Sequence, residues 1–162
     1  MSQKNRFINP RGFTIPELLV SSIIMTFVFT ATVISYIMLD SMWKDDLTLS
    51  ELARETTIAV EKVTRGTQAN GGLQAAKGIV LPLGGASADR VDYKDMNDVS
   101  QTFYLSNAKI YTGAGSSILS NVQSAAFSNN TNDTIAIDIV ASKHVVNRDI
   151  AFHLQTSVKP RN

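Results

Sequence analysis

The chain has 162 residues, one domain's worth of sequence, and its 15 Lys+Arg against 14 Asp+Glu leave a net charge of +1. That balance implies no basic face for nucleic acid, and none is expected as a partner. The absence of cysteine excludes a disulfide framework, a thiolate zinc site and a cysteine nucleophile.

Charged residues make up 18%, below the roughly 25% usual in soluble domains, and the shortfall is concentrated near the N-terminus. Between Glu17 and Asp40 lie 22 uncharged residues, Leu18 to Leu39, of which 15 are apolar. As a helix this run would be roughly 33 Å long, enough to cross a hydrocarbon core of about 30 Å. Helix is the expected state there, because lipid offers the backbone amides no other partner. Lys4, Arg6 and Arg11 precede the run with no acid among residues 1–16, and Asp40, Asp45 and Asp46 follow it. The positive-inside rule therefore places the N-terminus in the cytoplasm and the chain beyond about residue 42 outside. A cleaved secretory signal would instead have a 7–15-residue apolar stretch ending in small residues. This run is longer and leads into Asp40-Ser41-Met42-Trp43-Lys44.

Glu17 does not suit a plain anchor. A carboxylate that close to hydrocarbon is costly and calls for a partner; otherwise it snorkels to the membrane surface. The string Arg11-Gly12-Phe13-Thr14-Ile15-Pro16-Glu17-Leu18-Leu19-Val20 resembles the class III signal of type IV prepilins and type II secretion pseudopilins. In that pattern a short basic leader, a glycine, a phenylalanine and a glutamate five residues after the glycine lead into the membrane helix. The resemblance covers residues 4–39. It implies cleavage by prepilin peptidase between Gly12 and Phe13, and N-methylation of the new Phe13 amine. It also implies that Glu17 sets register in a filament by pairing with a neighbour's N-terminus. Removing residues 1–12 would take the net charge to −2. Pro16 falls in the first turn, where its missing N–H costs nothing.

Past Trp43 the pattern turns amphipathic. Leu49, Leu52, Ala53, Thr56, Ala59, Val60 and Val63 recur at three- and four-residue spacing, and Gly66 is a fitting stop. The spacing predicts one near-continuous helix from about Phe13 to Arg65, its second half laying an apolar stripe on a sheet. Residues 66–76 read as a loop. Ile79–Leu83 is a strand candidate that Pro82 assigns to an edge or a turn. Thr102–Leu105 and Lys109–Tyr111, across Ser106-Asn107, read as one hairpin; Asn121–Phe127 and Thr134–Val140 read as a second. In the latter Ile135, Ile137 and Ile139 share a face, and Ile150, Phe152, Leu154, Thr156 and Val158 alternate through the last strand.

The expectation is an α+β chain of pilin-like fold, a long N-terminal helix packed on a C-terminal antiparallel sheet. Its parts would be a cleaved leader (1–12), a transmembrane or filament-core helix (13–40) and a periplasmic or extracellular globular domain (41–162). The C-terminal half resembles the minor pseudopilin J and W-type minor pilin group, through Ile118-Leu119-Ser120-Asn121-Val122 leading into Phe127 and through the terminal Thr156–Asn162. Lack of cysteine departs from the disulfide-closed loop of many major pilins and favours a minor subunit.

Little else in the sequence carries chemistry. His144, in an expected loop, and His153, on the solvent face of the last strand, lack metalloenzyme spacing and read as surface residues. Asp89, Asp92, Asp95, Asn97 and Asp98 crowd one segment, and oxygen ligands suit calcium. The EF-hand pattern fails, so a solvated turn is expected, with Asp92, Asp95 and Asp98 as the calcium candidates. Gly113-Ala114-Gly115-Ser116-Ser117 is a turn and not a phosphate loop. The chain is therefore expected to be a non-enzymatic structural subunit without cofactor. It would be anchored once in a bacterial inner membrane and then built into a filament. The resemblance implies other pilin or pseudopilin subunits, prepilin peptidase, and the platform and ATPase machinery as partners. The alternatives are a membrane-anchored ectodomain with an enzymatic or receptor role, and a DNA-uptake competence pilin.

Overall fold

The computed structural model describes residues 12–67, 70–80, 88–130, 134–145 and 148–161. One α-helix is followed by short antiparallel strands, which makes the chain α+β. Two compact units meet at Trp43/Lys44, just past the division read from the sequence.

The first unit holds the front of helix α1 (Ile15–Arg65). The helix begins two residues later than its expected start, because Thr14 serves as its cap. From Gly12 to Lys44 every residue is exposed. Its side-chain hydroxyls turn back on the helix: Ser21, Ser22, Thr26, Thr30 and Thr32 donate to carbonyls three or four residues earlier at 2.7–2.9 Å.

The second unit holds the rest of α1 and the strands. Leu52, Thr56, Ala59, Val60 and Val63 are buried, at the expected spacing. Leu49, one turn earlier, remains 42% exposed, so the stripe starts at Leu52. Gly66 ends the helix at φ 77°, a left-handed backbone that glycine adopts without a Cβ clash.

Residues 66–76 are more than the loop expected. Gly66–Thr67 (β1) pairs with Asn70–Gly71 (β2), and a 3-10 turn covers Leu73–Ala75. Leu73 and Ala76 are fully buried. Burial of that one leucine, worth about 2 kcal/mol, fixes a segment whose glycines and polar residues read as loop. Gly72 is required there, since a Cβ would lie 2.3 Å from the Gly66 amide nitrogen and 2.5 Å from the Thr64 carbonyl oxygen.

The remaining strands are β3 (Gly78–Val80), β4 (Arg90–Lys94), β5 (Ser100–Ser106), β6 (Lys109–Thr112), β7 (Ser117–Ser120), β8 (Val122–Asn130), β9 (Thr134–Val145) and β10 (Arg148–Val158). They form a five-stranded sheet in simple chain order, β3 to β7, and a three-stranded sheet ordered β10-β9-β8. The β5–β6 hairpin is the one expected, and it turns through Asn107 and Ala108, both at positive φ. The β8–β9 hairpin also stands as read. Ile135, Ile137 and Ile139 are 3%, 0% and 0% exposed, and the alternation of β10 matches its burial. β3 lies at a sheet edge as Pro82 suggested, though Pro82 itself is outside the described residues. β4 and β7 were not foreseen. In β4, Val91 and Tyr93 face the core between Arg90, Asp92 and Lys94, an alternation masked by the crowd of aspartates.

The core joins Ala59, Val60 and Val63 of α1 to Val91, Phe103 and Phe127 of the sheets. Two ion pairs fasten α1 to the β9–β10 end: Arg148 with Asp45, and Lys143 Nζ with Glu51 at 2.7 Å. Thr56 Oγ1 lies fully buried in this core without a hydrogen-bond partner among the described residues. An unpaired buried hydroxyl costs about 1–3 kcal/mol. Thr56→Val, which keeps the shape and removes the hydroxyl, should therefore raise the melting temperature of the full chain in detergent micelles, followed by circular dichroism.

Candidate functional site

The segment singled out by the sequence is Gly12-Phe13-Thr14-Ile15-Pro16-Glu17, and its local structure follows from helix-end chemistry. The first turn of a helix leaves amide N–H groups without carbonyl partners. Here Thr14 is the cap. Its carbonyl accepts the first helical bond from the Leu18 N–H at 3.1 Å. Glu17, in the first turn, reaches back: the Thr14 N–H donates to Glu17 Oε2 at 3.0 Å and the Thr14 hydroxyl donates to the same oxygen at 2.9 Å. This is the backbone half of a capping box. The Thr14-x-x-Glu17 spacing ahead of an apolar run is the sequence signal for this cap. Pro16 occupies the second helical position, where no N–H is needed.

Gly12 and Phe13 lie ahead of the helix, outside any hydrogen-bonded element. Phe13 is 76% exposed, and a Cβ at Gly12 would meet nothing within 4 Å. Among the described residues nothing covers the Gly12–Phe13 peptide bond, and the Glu17 carboxylate lies about one helical turn away. Lys4, Arg6 and Arg11 of the leader lie outside the described residues. Behind this entry α1 is long and apolar enough to cross a membrane: an 18-residue window has a mean hydropathy of 2.1, and none of it is buried. The back-bonded hydroxyls lower the cost of placing that segment in lipid.

The aspartate segment proves to be built into the β4–β5 connection. Asp92 pairs with Arg90 at 3.0 Å and accepts the Thr102 hydroxyl at 2.6 Å. Asp98 pairs with Lys77 at 3.2 Å. Asp95 is only 2% exposed and accepts the Asn97 and Val99 N–H groups at 2.8 and 3.0 Å. Each of these three carboxylates therefore has its own partners. Among the described residues no three His, Asp or Glu side chains converge on a point where they could hold a metal ion.

Burial works to raise the Asp95 carboxyl pKa, but the N–H groups of Val99 and Asn97, the Gln101 amide and the Lys77 charge outweigh it and hold it below the ordinary value. Nearby, burial and the Asp95 charge push the Tyr93 hydroxyl up to about 12; that hydroxyl donates to the Gly71 carbonyl at 3.1 Å. Between β9 and α1, the hydrogen bond to Glu51 raises the Lys143 ammonium pKa. The Glu51 charge and, more weakly, Glu55 add to the rise.

His153 is exposed on β10, as expected, and its Nε2 lies 2.7 Å from Asp138 Oδ1. His144 belongs to strand β9 and not to a loop, because the β9–β10 ladder extends as far as Val145 and Arg148; its Nδ1 lies 2.7 Å from Asp149 Oδ1. Gly113 and Gly115 belong to the β6–β7 turn, as read, with Gly115 at φ 78°.

No protein-family model, curated protein or solved structure matches this chain. The chemistry of its own residues therefore carries the functional argument.

The depressed Asp95 carboxyl has a pH consequence. Its folded pKa lies below its unfolded one, so its contribution is complete above the unfolded value, near 4, and is lost as pH falls through the folded value. Asp95→Asn should be less stable than wild type at pH 7, and the gap should narrow below about pH 4 in paired thermal melts.

Proposed function

We propose that the chain is a structural subunit, of the minor pilin or minor pseudopilin kind, of a type IV pilus or type II secretion-like filament. On this reading it has the pilin-like version of the α+β fold. Prepilin peptidase removes residues 1–12, and the Phe13 amine is then methylated. Before assembly the subunit is held by α1 in the bacterial inner membrane with its N-terminus cytoplasmic. The platform and ATPase machinery then extrudes it into a periplasmic or extracellular filament.

One observation carries this reading. An open Gly12–Phe13 bond stands directly before a capped helix whose first turn holds Glu17, and that same helix passes unbroken from an exposed apolar segment to a stripe buried against β-strands. A plain anchor needs the apolar segment but not the Gly12-Phe13-Glu17 spacing.

The mechanism is electrostatic. Cleavage turns the Phe13 amide into an amine, cationic or nearly so at neutral pH. In an apolar filament core an unpaired Glu17 carboxylate would cost several kcal/mol, so a subunit is accepted only where a neighbour's amine meets it. Thr14 contributes by holding the carboxylate at the helix entrance, with Glu17 Oε1 left for the incoming cation.

Two measurements test this. Mass spectrometry of the protein purified from a host with prepilin peptidase should find N-methyl-Phe13 as the first residue; an intact Met1 or Ser2 overturns the reading in favour of an anchored ectodomain. Glu17→Gln should still be processed, but its amount in sheared filaments should fall by at least about tenfold.

A further inference from the structure

Strands β9 and β10 run past the core. Ala141 is the last buried residue of β9, yet the ladder to β10 continues through Ser142, Lys143, His144 and Val145. Among the described residues, no side chain in 142–145 or 148–150 is buried. The Ser142 N–H still donates to the Asn121 carbonyl at 2.8 Å. Beyond Ser142 the described backbone bonds are those of the β9–β10 ladder itself. The end of this hairpin is an arm that projects beyond the core.

Helix α1 overruns the core in the same way. From Lys44 to Glu51 no residue is buried, and the stripe starts only at Leu52. Arm and helix meet through charge. Strand alternation puts Lys143 and Val145 on the same face of β9 as the buried Ile137 and Ile139, and the register sets Ile150 and Arg148 beside them. From that face Arg148 pairs with Asp45, and Lys143 Nζ pairs with Glu51 at 2.7 Å. The half-buried Val145 and Ile150 share the face with the two cations. Glu55 adds a weaker attraction on Lys143. Asp149 is on the opposite face, paired with His144, and takes no part.

The two fastenings of α1 differ in kind. From Leu52 onward the helix is held by apolar burial, which salt does not weaken. Before Leu52 it is held by ion pairs that remain partly in water, with side-chain exposures of 63% and 16% for Arg148 and Asp45, and 40% and 54% for Lys143 and Glu51. Such pairs weaken as screening tightens, since the Debye length falls from about 30 Å at 0.01 M salt to about 3 Å at 1 M.

We propose that Asp45–Arg148 and Glu51–Lys143 form a salt-releasable clasp. At low ionic strength the β9–β10 arm is held on the Lys44–Glu51 turns of α1. At high ionic strength the arm comes away and uncovers Val145 and Ile150, while the core from Leu52 onward stays closed. The clasp lies within residues 44–150 and stands whether or not the chain is cleaved after Gly12.

The test is hydrogen exchange with mass spectrometry on the full chain in non-ionic detergent micelles, at about 0.01 M and about 1 M sodium chloride. Amides 143–145 and 148–150 should exchange about three- to tenfold faster at high salt, measured against Ile135–Ile139 as the internal reference. Lys143→Gln/Arg148→Gln should exchange fast in the arm at both salt concentrations. Arg148→Asp alone should also loosen the arm, and adding Asp45→Arg, which rebuilds the pair in reverse, should restore slow exchange at low salt and its salt response. All these positions lie outside the core, so the reference amides should not change. An arm that ignores salt in the wild-type chain, an arm that accelerates only together with Ile135–Ile139, or a reversed pair that restores nothing overturns the proposal.

Discussion

The apolar run from Leu18 to Leu39 cannot remain in water, because each large side chain left exposed forgoes about 1.5–3 kcal/mol of burial. Among the described residues nothing covers it: every residue from Gly12 to Lys44 is exposed. A lipid or protein environment for this segment is therefore a condition on the whole molecule. It fixes the helical state, since backbone amides in lipid must be satisfied internally. It also sets the value of each polar group nearby. A carboxylate at the mouth of such a segment must be kept at the helix end and given a partner, and Thr14 supplies the first.

The second half of the same helix obeys a different constraint. Its stripe from Leu52 to Val63 is buried in one core with residues of both small sheets. Three- and four-residue spacing encodes this stripe directly, so it was legible in the sequence. So were the β5–β6 and β8–β9 hairpins, where turn residues separate alternating strands. Their legibility has a common cause: each signal is local and repeats within one element.

What stayed hidden depends on partners distant in sequence. β4 reads as an acidic turn until Val91 and Tyr93 are seen against the core; the aspartates of β4 and of the connection after it are held by Arg90, Thr102, Lys77 and backbone N–H groups. Leu73 fixes an apparent loop through contacts that no pattern within residues 66–76 reveals. The Thr14–Glu17 bond, by contrast, is local and is encoded in the four-residue spacing itself.

The hydroxyls of Ser21, Ser22, Thr26, Thr30 and Thr32 have a consequence for traffic between surroundings. Because each is already spent on a carbonyl of its own helix, none would have to find or surrender a partner in the passage from acyl chains to a helix bundle that the proposed function entails. Such a transfer exchanges only dispersion contacts, and its hydrogen-bond balance at these positions is unchanged from start to finish.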